Sequence, residues 1–250
     1  MTLPAAFFTR PIAHRALHDV AAGRAENSLK AIKAAIDAGY GIEVDVQISA
    51  NAVPMVFHDY DLGRLTGATG PVAQRTAQAL GAIPLLHDGD AIPTLTEVLA
   101  LVAGRVPLLI ELKDQDGQLG PNIGPLGAAV AAVLQGYTGL VAVMSFNPHT
   151  VAELKTLLPD VPRGITTGAY RPENWPTIPK QMLDHLRAIP DYERVSACFV
   201  SHRDTDLAAP RIAALKAQGA HIFCWTVTSL QAEAEARKIA DNITFEGYLA

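Results

Sequence analysis

A parallel α/β barrel, the (β/α)8 or TIM architecture, is the fold this sequence predicts, and three observations predict it. Apolar strand-like runs and helix-like stretches alternate through eight rounds, the pattern of parallel strands joined by crossover helices. The chain has 250 residues, a length that suits one such barrel as well as two ordinary domains. Hydrophobic residues make up 49% and charged residues 18%, with 19 Gly and 17 Pro, so a sizeable core can be buried and disordered or fibrous classes are excluded. Residues 1–250 are read as a single barrel domain.

The elements follow in order. Pro11 to Arg15 is the first strand, and Ser28 to Ala38 the first helix, stopped at Gly39. Gly41 to Ser49 is the second strand. Ala50 to Pro93 then breaks the alternation; it holds a short strand, Val53 to Phe57, and the Gly/Thr-rich run DLGRLTGATGPV, and is too long for an idle loop. It is read as a small insertion after the second strand, about residues 50–93. Leu95 to Ala103 is the next helix, ended by Gly104, and Val106 to Lys113 the third barrel strand. Helix and strand then alternate as Leu126 to Leu134 before Gly136, Leu140 to Ser145, Pro148 to Leu158 and Pro162 to Thr167. Arg171 to Lys180 is a second irregular stretch, Pro-rich and carrying Trp175. Beyond it come Gln181 to Ala188, Val195 to Ser201, Ala208 to Gln218 before Gly219, Ala220 to Val227, Leu230 to Ile239 and Asn242 to Glu246. No eighth helix is expected, since the sequence ends just after that strand.

The net charge is −5 and no Lys/Arg cluster occurs, which argues against nucleic acid or an anionic membrane as partner and leaves a small molecule as the default. Cys198 and Cys224 sit inside apolar runs and read as reduced core residues. The N-terminus has too short an apolar run for a secretory signal, so a cytoplasmic location is expected. Residues 117–152 carry no charge, but Gly and Pro interrupt the stretch repeatedly, so no membrane span is expected there. Oligomeric state is not legible.

The chemistry starts in the second strand. Alternate residues of GIEVDVQIS share a face, so Ile42, Val44, Val46 and Ile48 lie on one side and Glu43, Asp45 and Gln47 on the other. A parallel barrel strand is ordinarily buried on both sides. Two inward carboxylates then require either a proton on one or a cation between them, unless the strand is an edge with its polar side in water. The third strand repeats the pattern: Glu111 and Lys113 share a face with Leu109. Three carboxylates without thiolates or a dense His set suit one hard divalent cation, Mg²⁺ or Ca²⁺. His14 ends the first strand, and His58 follows the short strand of the insertion; imidazoles beside the carboxylates make an acid and base pair plausible. Asp59 reads as a turn residue, and Arg15 and Lys113 as anion clamps. With a divalent cation added, the three acids and two bases leave a charge of +1, which a phosphodiester monoanion neutralises and a monoester dianion overshoots.

These residues resemble the glycerophosphodiester phosphodiesterases. The matching segments are HR at His14, ENS at Glu26, EVDVQIS at Glu43, FHDYDLGRLTGATGPV at Phe57, IPTLTEVL at Ile92, IELK at Ile110, SF at Ser145 and CWTV at Cys224, in the family's order over almost the whole chain. The resemblance implies a metal-dependent TIM barrel that hydrolyses glycerophosphodiesters to sn-glycerol 3-phosphate and an alcohol. It implies Glu43, Asp45 and Glu111 as metal ligands, His14 and His58 as catalytic histidines, Arg15 and Lys113 at the phosphate, and Trp225 on the alcohol side. Asn27 is either a site residue of the ENT-like motif or a helix N-cap; Phe146 and Trp225 can equally be core packing. Two departures stand out: Ala16 where the family commonly has Gly after His-Arg, and Glu246 where it usually has Asp. The competing readings are a lysophospholipase D-like or sphingomyelinase-like phosphodiesterase acting on a lipid, and a non-catalytic phosphate-ester binding barrel.

Overall fold

The computed structural model describes residues 2–87 and 89–250. In chain order the elements are α1 (Ala6–Thr9), β1 (Ile12–Ala13), α2 (Leu29–Ala38), β2 (Gly41–Ile48), β3 (Pro54–Val56), α3 (Ala77–Leu80), α4 (Leu95–Val102), β4 (Leu108–Leu112) and α5 (Leu126–Leu134). They continue as β5 (Val141–Ser145), α6 (Pro148–Leu157), β6 (Arg163–Thr167), α7 (Lys180–Arg187), β7 (Phe199–Arg203), α8 (Pro210–Ala217), β8 (His221–Val227), α9 (Leu230–Ala236) and β9 (Asn242–Phe245). Helix starts are fixed by side chains that accept the orphan N–H groups: Ser28 for α2, Thr94 in a capping box with Glu97 for α4, Asn147 for α6 and Ser229 for α9.

β1, β2 and β4 to β9 pair in parallel, and β1 bonds to both β2 and β9, so the sheet closes into a barrel of eight parallel strands. Only β3 is antiparallel; it folds back on the end of β2, pairing Val46 with Val56 and Ile48 with Pro54. Outside the strands, Val44, Val46, Ile110 and Ile222 pack against Ile32, Val98, Val130 and Ile212 of the helices. Inside, a separate apolar plug fills one end: Phe7 from α1, Ile12, Leu109, Met144, Phe199 and Phe223. Phe199 and Phe223 have ring centroids 5.3 Å apart. The other end of the interior is polar. Residues between β2 and α4 enclose their own core of Met55, Phe57, Leu62, Val72, Leu80 and Ile92, so this stretch is packed rather than loose.

Several bounds differ from expectation for physical reasons. The sixth barrel strand, β7, lies at Phe199–Arg203 and not at Val195 to Ser201: Ser196 has φ +51°, so the chain is still turning there, and the strand runs on through polar His202 and Arg203. His202 is buried between Thr167 and Asp206, at 2.7 and 3.1 Å, which is how a polar residue sits in that strand. β1 is only two residues long because Arg15 and Ala16 turn the chain with φ of +51° and +66°. Ala16 therefore occupies the backbone conformation that explains the Gly commonly found there. α8 starts at Pro210, and α9 ends at Ala236. No helix among the described residues is long and apolar enough to cross a membrane.

The inner plug yields a stability test. A methyl group at Gly164 on β6 would run into the Phe199 ring, which is fully buried. Gly164→Ala is expected to cost about 1–3 kcal/mol by overpacking, read as a lower urea midpoint with an unchanged slope.

Candidate active site

β2 is buried along all eight residues, which excludes the edge-strand reading. Parallel register sets Asp45 beside Glu111 and Glu43 beside Leu109, so side chains of the same strand face enter the barrel together. Glu43, Asp45 and Glu111 are 1%, 2% and 6% exposed, and each offers an oxygen within 4.8 Å of the others. Around them, one cavity of about 310 Å³ is lined by His14, Arg15, His58, Lys113 and Trp225 as well as the three acids. All eight residues singled out in the sequence thus face the same space.

The charges there are only partly balanced. Lys113 Nζ lies 2.8 Å from Glu111 and 3.3 Å from Asp45. Arg15 Nε is 3.6 Å from Asp45, while the Arg15 backbone N–H donates to Glu43 at 2.8 Å. Burial opposes ionisation of Asp45, but Lys113, His58, Arg15 and His14 outweigh it and hold this carboxyl below its ordinary range. Glu43 goes the other way: burial, then the charges of Asp45 and Glu111, push it well above the ordinary carboxylate range. Both alternatives left open by the sequence are compatible with this centre. Without a cation the surrounding negative charge favours the protonated form of Glu43, and an oxygen-only donor set this close fits a hard divalent ion held by Glu43, Asp45 and Glu111.

Each histidine carries a carboxylate on its inner nitrogen. His14 Nδ1 is 2.6 Å from Glu246, and His58 Nδ1 is 2.6 Å from Asp59. Hydrogen bonds from His14 and His18 hold Glu246 far below its ordinary range. Burial of Asp59 is likewise outweighed by His58 and Arg64. An ionised carboxylate only accepts, so each Nδ1 carries a hydrogen and each Nε2 is left for proton exchange.

Three of these partners were missed or misassigned in the sequence, and a fourth, Asn27, was left open between two roles. Asp59 is a partner of His58 rather than a turn residue only; its adjacency to His58 was the available signal. Glu246 reaches His14 because barrel closure brings β9 beside β1, which no local pattern announces. Asn27 is not the cap of α2, a role Ser28 takes; it exchanges hydrogen bonds with Asp45, Nδ2 to carboxylate at 3.0 Å and backbone N–H to Oδ1 at 3.2 Å. Arg64, in the Gly/Thr-rich run, grips Asp59 at 2.6 and 2.9 Å and Glu26 at 2.7 and 2.8 Å, and Glu26 in turn holds Arg15 at 2.8 Å. Phe146 and Trp225 are cavity walls with ring centroids 5.4 Å apart; the indole N–H donates to the carbonyls of Thr167 and Ser201.

A carboxylate cluster, two oriented imidazoles and two cations at one mouth of a TIM barrel make a site suited to acid–base chemistry on an anionic substrate. The model of the glycerophosphoryl diester phosphodiesterase family matches residues 14–241, and the chain belongs to that family. YhdW of Bacillus subtilis (strain 168), whose name carries a provisional assignment as glycerophosphodiester phosphodiesterase, is 28% identical over 233 residues, 90% of this chain and 88% of that protein. Among solved structures, an Oleispira antarctica phosphodiesterase in complex with the product sn-glycerol-3-phosphate matches with TM-score 0.75 at 22% identity, covering 98% of this chain and 93% of the other. The glycerophosphodiester phosphodiesterase of Thermotoga maritima matches with TM-score 0.71 at 23% identity, covering 94% of each chain. The protein is an enzyme of the glycerophosphodiester phosphodiesterase class.

The raised carboxyl of Glu43 gives a prediction with a definite sign. A folded-state pKa above the unfolded one contributes stability that is complete below the ordinary Glu value of about 4.3 and is lost as pH rises through the folded value. In metal-stripped protein, Glu43→Gln is therefore expected to raise Tm at pH 8 by a few degrees and by less at pH 5, each 1 kcal/mol being about 2–4 °C at this size. Added Mg²⁺ or Ca²⁺ should raise the Tm of the wild type and not that of the variant. Identical melting of the two at pH 8 would contradict this account of the charge deficit.

Proposed function

We propose that this enzyme hydrolyses glycerophosphodiesters to sn-glycerol 3-phosphate and an alcohol with the help of one divalent cation, Mg²⁺ or Ca²⁺. The observation that carries the reading is the convergence of three buried carboxylates, two carboxylate-oriented histidines and two cations on one cavity. Glu43, Asp45 and Glu111 would hold the ion. When bound, it supplies charge neutralisation at a non-bridging phosphate oxygen and helps activate the nucleophile.

The chain's own groups do the rest. Arg15 and Lys113 lie against the carboxylates and meet the negative charge that builds on the equatorial phosphate oxygens. Asn27 and Glu26 hold Asp45 and Arg15 in place through the bonds described above. Of His14 and His58, one gives its Nε2 proton to the leaving alkoxide as the P–O bond breaks, and the other takes a proton from the attacking oxygen. That oxygen belongs to water, or to the neighbouring glycerol hydroxyl by way of a cyclic phosphate. Trp225, its N–H already committed to backbone carbonyls, serves as an apolar wall on the alcohol side.

A second reading has one observation in its favour. Beside His58 lies a recess of about 470 Å³ whose walls include Leu119, Phe146, Trp175, Ile178 and Trp225, wide and apolar enough for part of a lipid substrate of a lysophospholipase D-like or sphingomyelinase-like enzyme. The two are separated by choline release from glycerophosphocholine and from lysophosphatidylcholine, with protein stripped of metal and then reloaded with Mg²⁺ or Ca²⁺. Turnover of the deacylated ester, abolished by chelation and restored by one of the ions, is expected. Faster turnover of the lysolipid would transfer the assignment to the second reading.

His14→Ala and His58→Ala are each expected to lower kcat by about 10²–10⁴-fold while leaving the circular dichroism spectrum and Tm near those of the wild type. Near-normal rates in either variant would remove that histidine from the mechanism.

A further inference from the structure

Next to the catalytic cavity, and sharing Phe146, Arg203 and Trp225 with it, is a second hollow of about 260 Å³ whose rim carries Arg171, Asn174 and Arg203. Its aromatic walls are fixed. Phe146 packs on Trp175 and on Trp225 with centroids 5.4 Å apart in each case, and Tyr170 packs on Trp175 at 5.4 Å. Arg203 ends β7, so a barrel strand sets its backbone, and its guanidinium lies 5.2 Å from the centroid of the anchored Trp225 indole.

The charges around the leaving-group side are unequal in how far they are already used. The carboxylates of the neighbouring recess are spent within the protein: Asp59 on His58 and Arg64, and Asp114 on the backbone N–H groups of Asp116, Gly117 and Leu119 and the Asn147 amide. Arg171 and Arg203, both exposed, form no ion pair with any described residue; Asp204 acts on Arg203 only from beyond ion-pair distance. Arg171 therefore stands without a counter-charge and Arg203 with only the more distant Asp204 of the reaction cavity, at the mouth of an acidic protein, and Arg203 bridges from that cavity into the hollow. The diester monoanion is already balanced by the centre itself, so these two charges are available to another part of the substrate.

We infer that the hollow is a specificity subsite for the leaving alcohol, and that Arg171 and Arg203 select alcohols bearing an anionic group of their own, a carboxylate or a second phosphate. The fork of a guanidinium matches either group geometrically, and the aromatic walls reduce screening by water on one side. The inference rests on the proposed hydrolysis and names the substrate class within it.

The test is a series of glycerophosphodiesters whose leaving alcohols differ in charge: glycerol, glycerate, glycerol phosphate and choline. Assayed with reloaded enzyme at low salt, at least one of the glycerate and glycerol phosphate esters should exceed the glycerol ester in kcat/KM by about tenfold, mainly through KM, with the choline ester lowest. Whichever anionic ester leads identifies the group the hollow takes. In Arg171→Gln and Arg203→Gln the ratio of anionic to glycerol ester should fall about tenfold, and the wild-type preference should shrink as salt rises. Equal turnover of all four esters, a preference for choline, or variants that change every ester by the same factor would overturn the inference while leaving hydrolysis standing. No turnover of any ester with either ion would instead overturn the hydrolysis reading, and this subsite with it.

Discussion

Three carboxylates held within 4.8 Å of one another inside a barrel are the constraint on which the rest of this molecule depends. Three ionised acids in that volume are not tolerated without compensation, and the two fixed cations, Arg15 and Lys113, leave the count one charge short. Asp45 and Glu43 divide the consequence: one is held ionised by the cations around it, the other is driven toward its protonated form. That deficit is of the kind a small hard cation can meet. A divalent ion there would turn the count positive, which a diester anion would balance.

The fold supplies this arrangement by segregating its interior. One end of the barrel is packed with Phe7, Phe199, Phe223 and their apolar neighbours, so the strands are held together by ordinary burial, and the other end can carry groups that stabilise little or nothing. The insertion after β2 contributes more than His58. Through Arg64 it grips both Asp59, which bonds to His58, and Glu26, which holds Arg15, so two residues of the cavity wall from separate segments are tied to one guanidinium. Orientation of the two histidines by Asp59 and Glu246 follows one physical plan reached from opposite directions. One carboxylate is adjacent in sequence, and the other is 232 residues away.

The barrel class, the alternation of elements and the inward set of Glu43, Asp45, Glu111 and Lys113 were legible because side chains alternate strictly along a strand and acids are out of place in a run as apolar as PLLIEL. α5 falls on the expected residues, and most other elements within one or two. The sixth barrel strand was displaced because its end is polar: His202 and Arg203 belong to it, the first buried on its bonds to Thr167 and Asp206, the second exposed. Asn27 stood open between a cap and a site role, and only the position of Ser28 on the helix end and the bonds to Asp45 decide between them.

The sequence by itself determined which residue types enter the barrel and in what order, because periodicity and apolar content are local properties of the chain. Only the tertiary structure decided which charges compensate one another, because an ion pair is a matter of distance in space. Glu246 meets His14 through barrel closure, Arg64 joins two separate segments, and the acids of the apolar recess are consumed internally while Arg171 and Arg203 are not. That distribution of satisfied and unsatisfied charge cannot be read along a chain, and it is what shapes the chemistry at the barrel mouth.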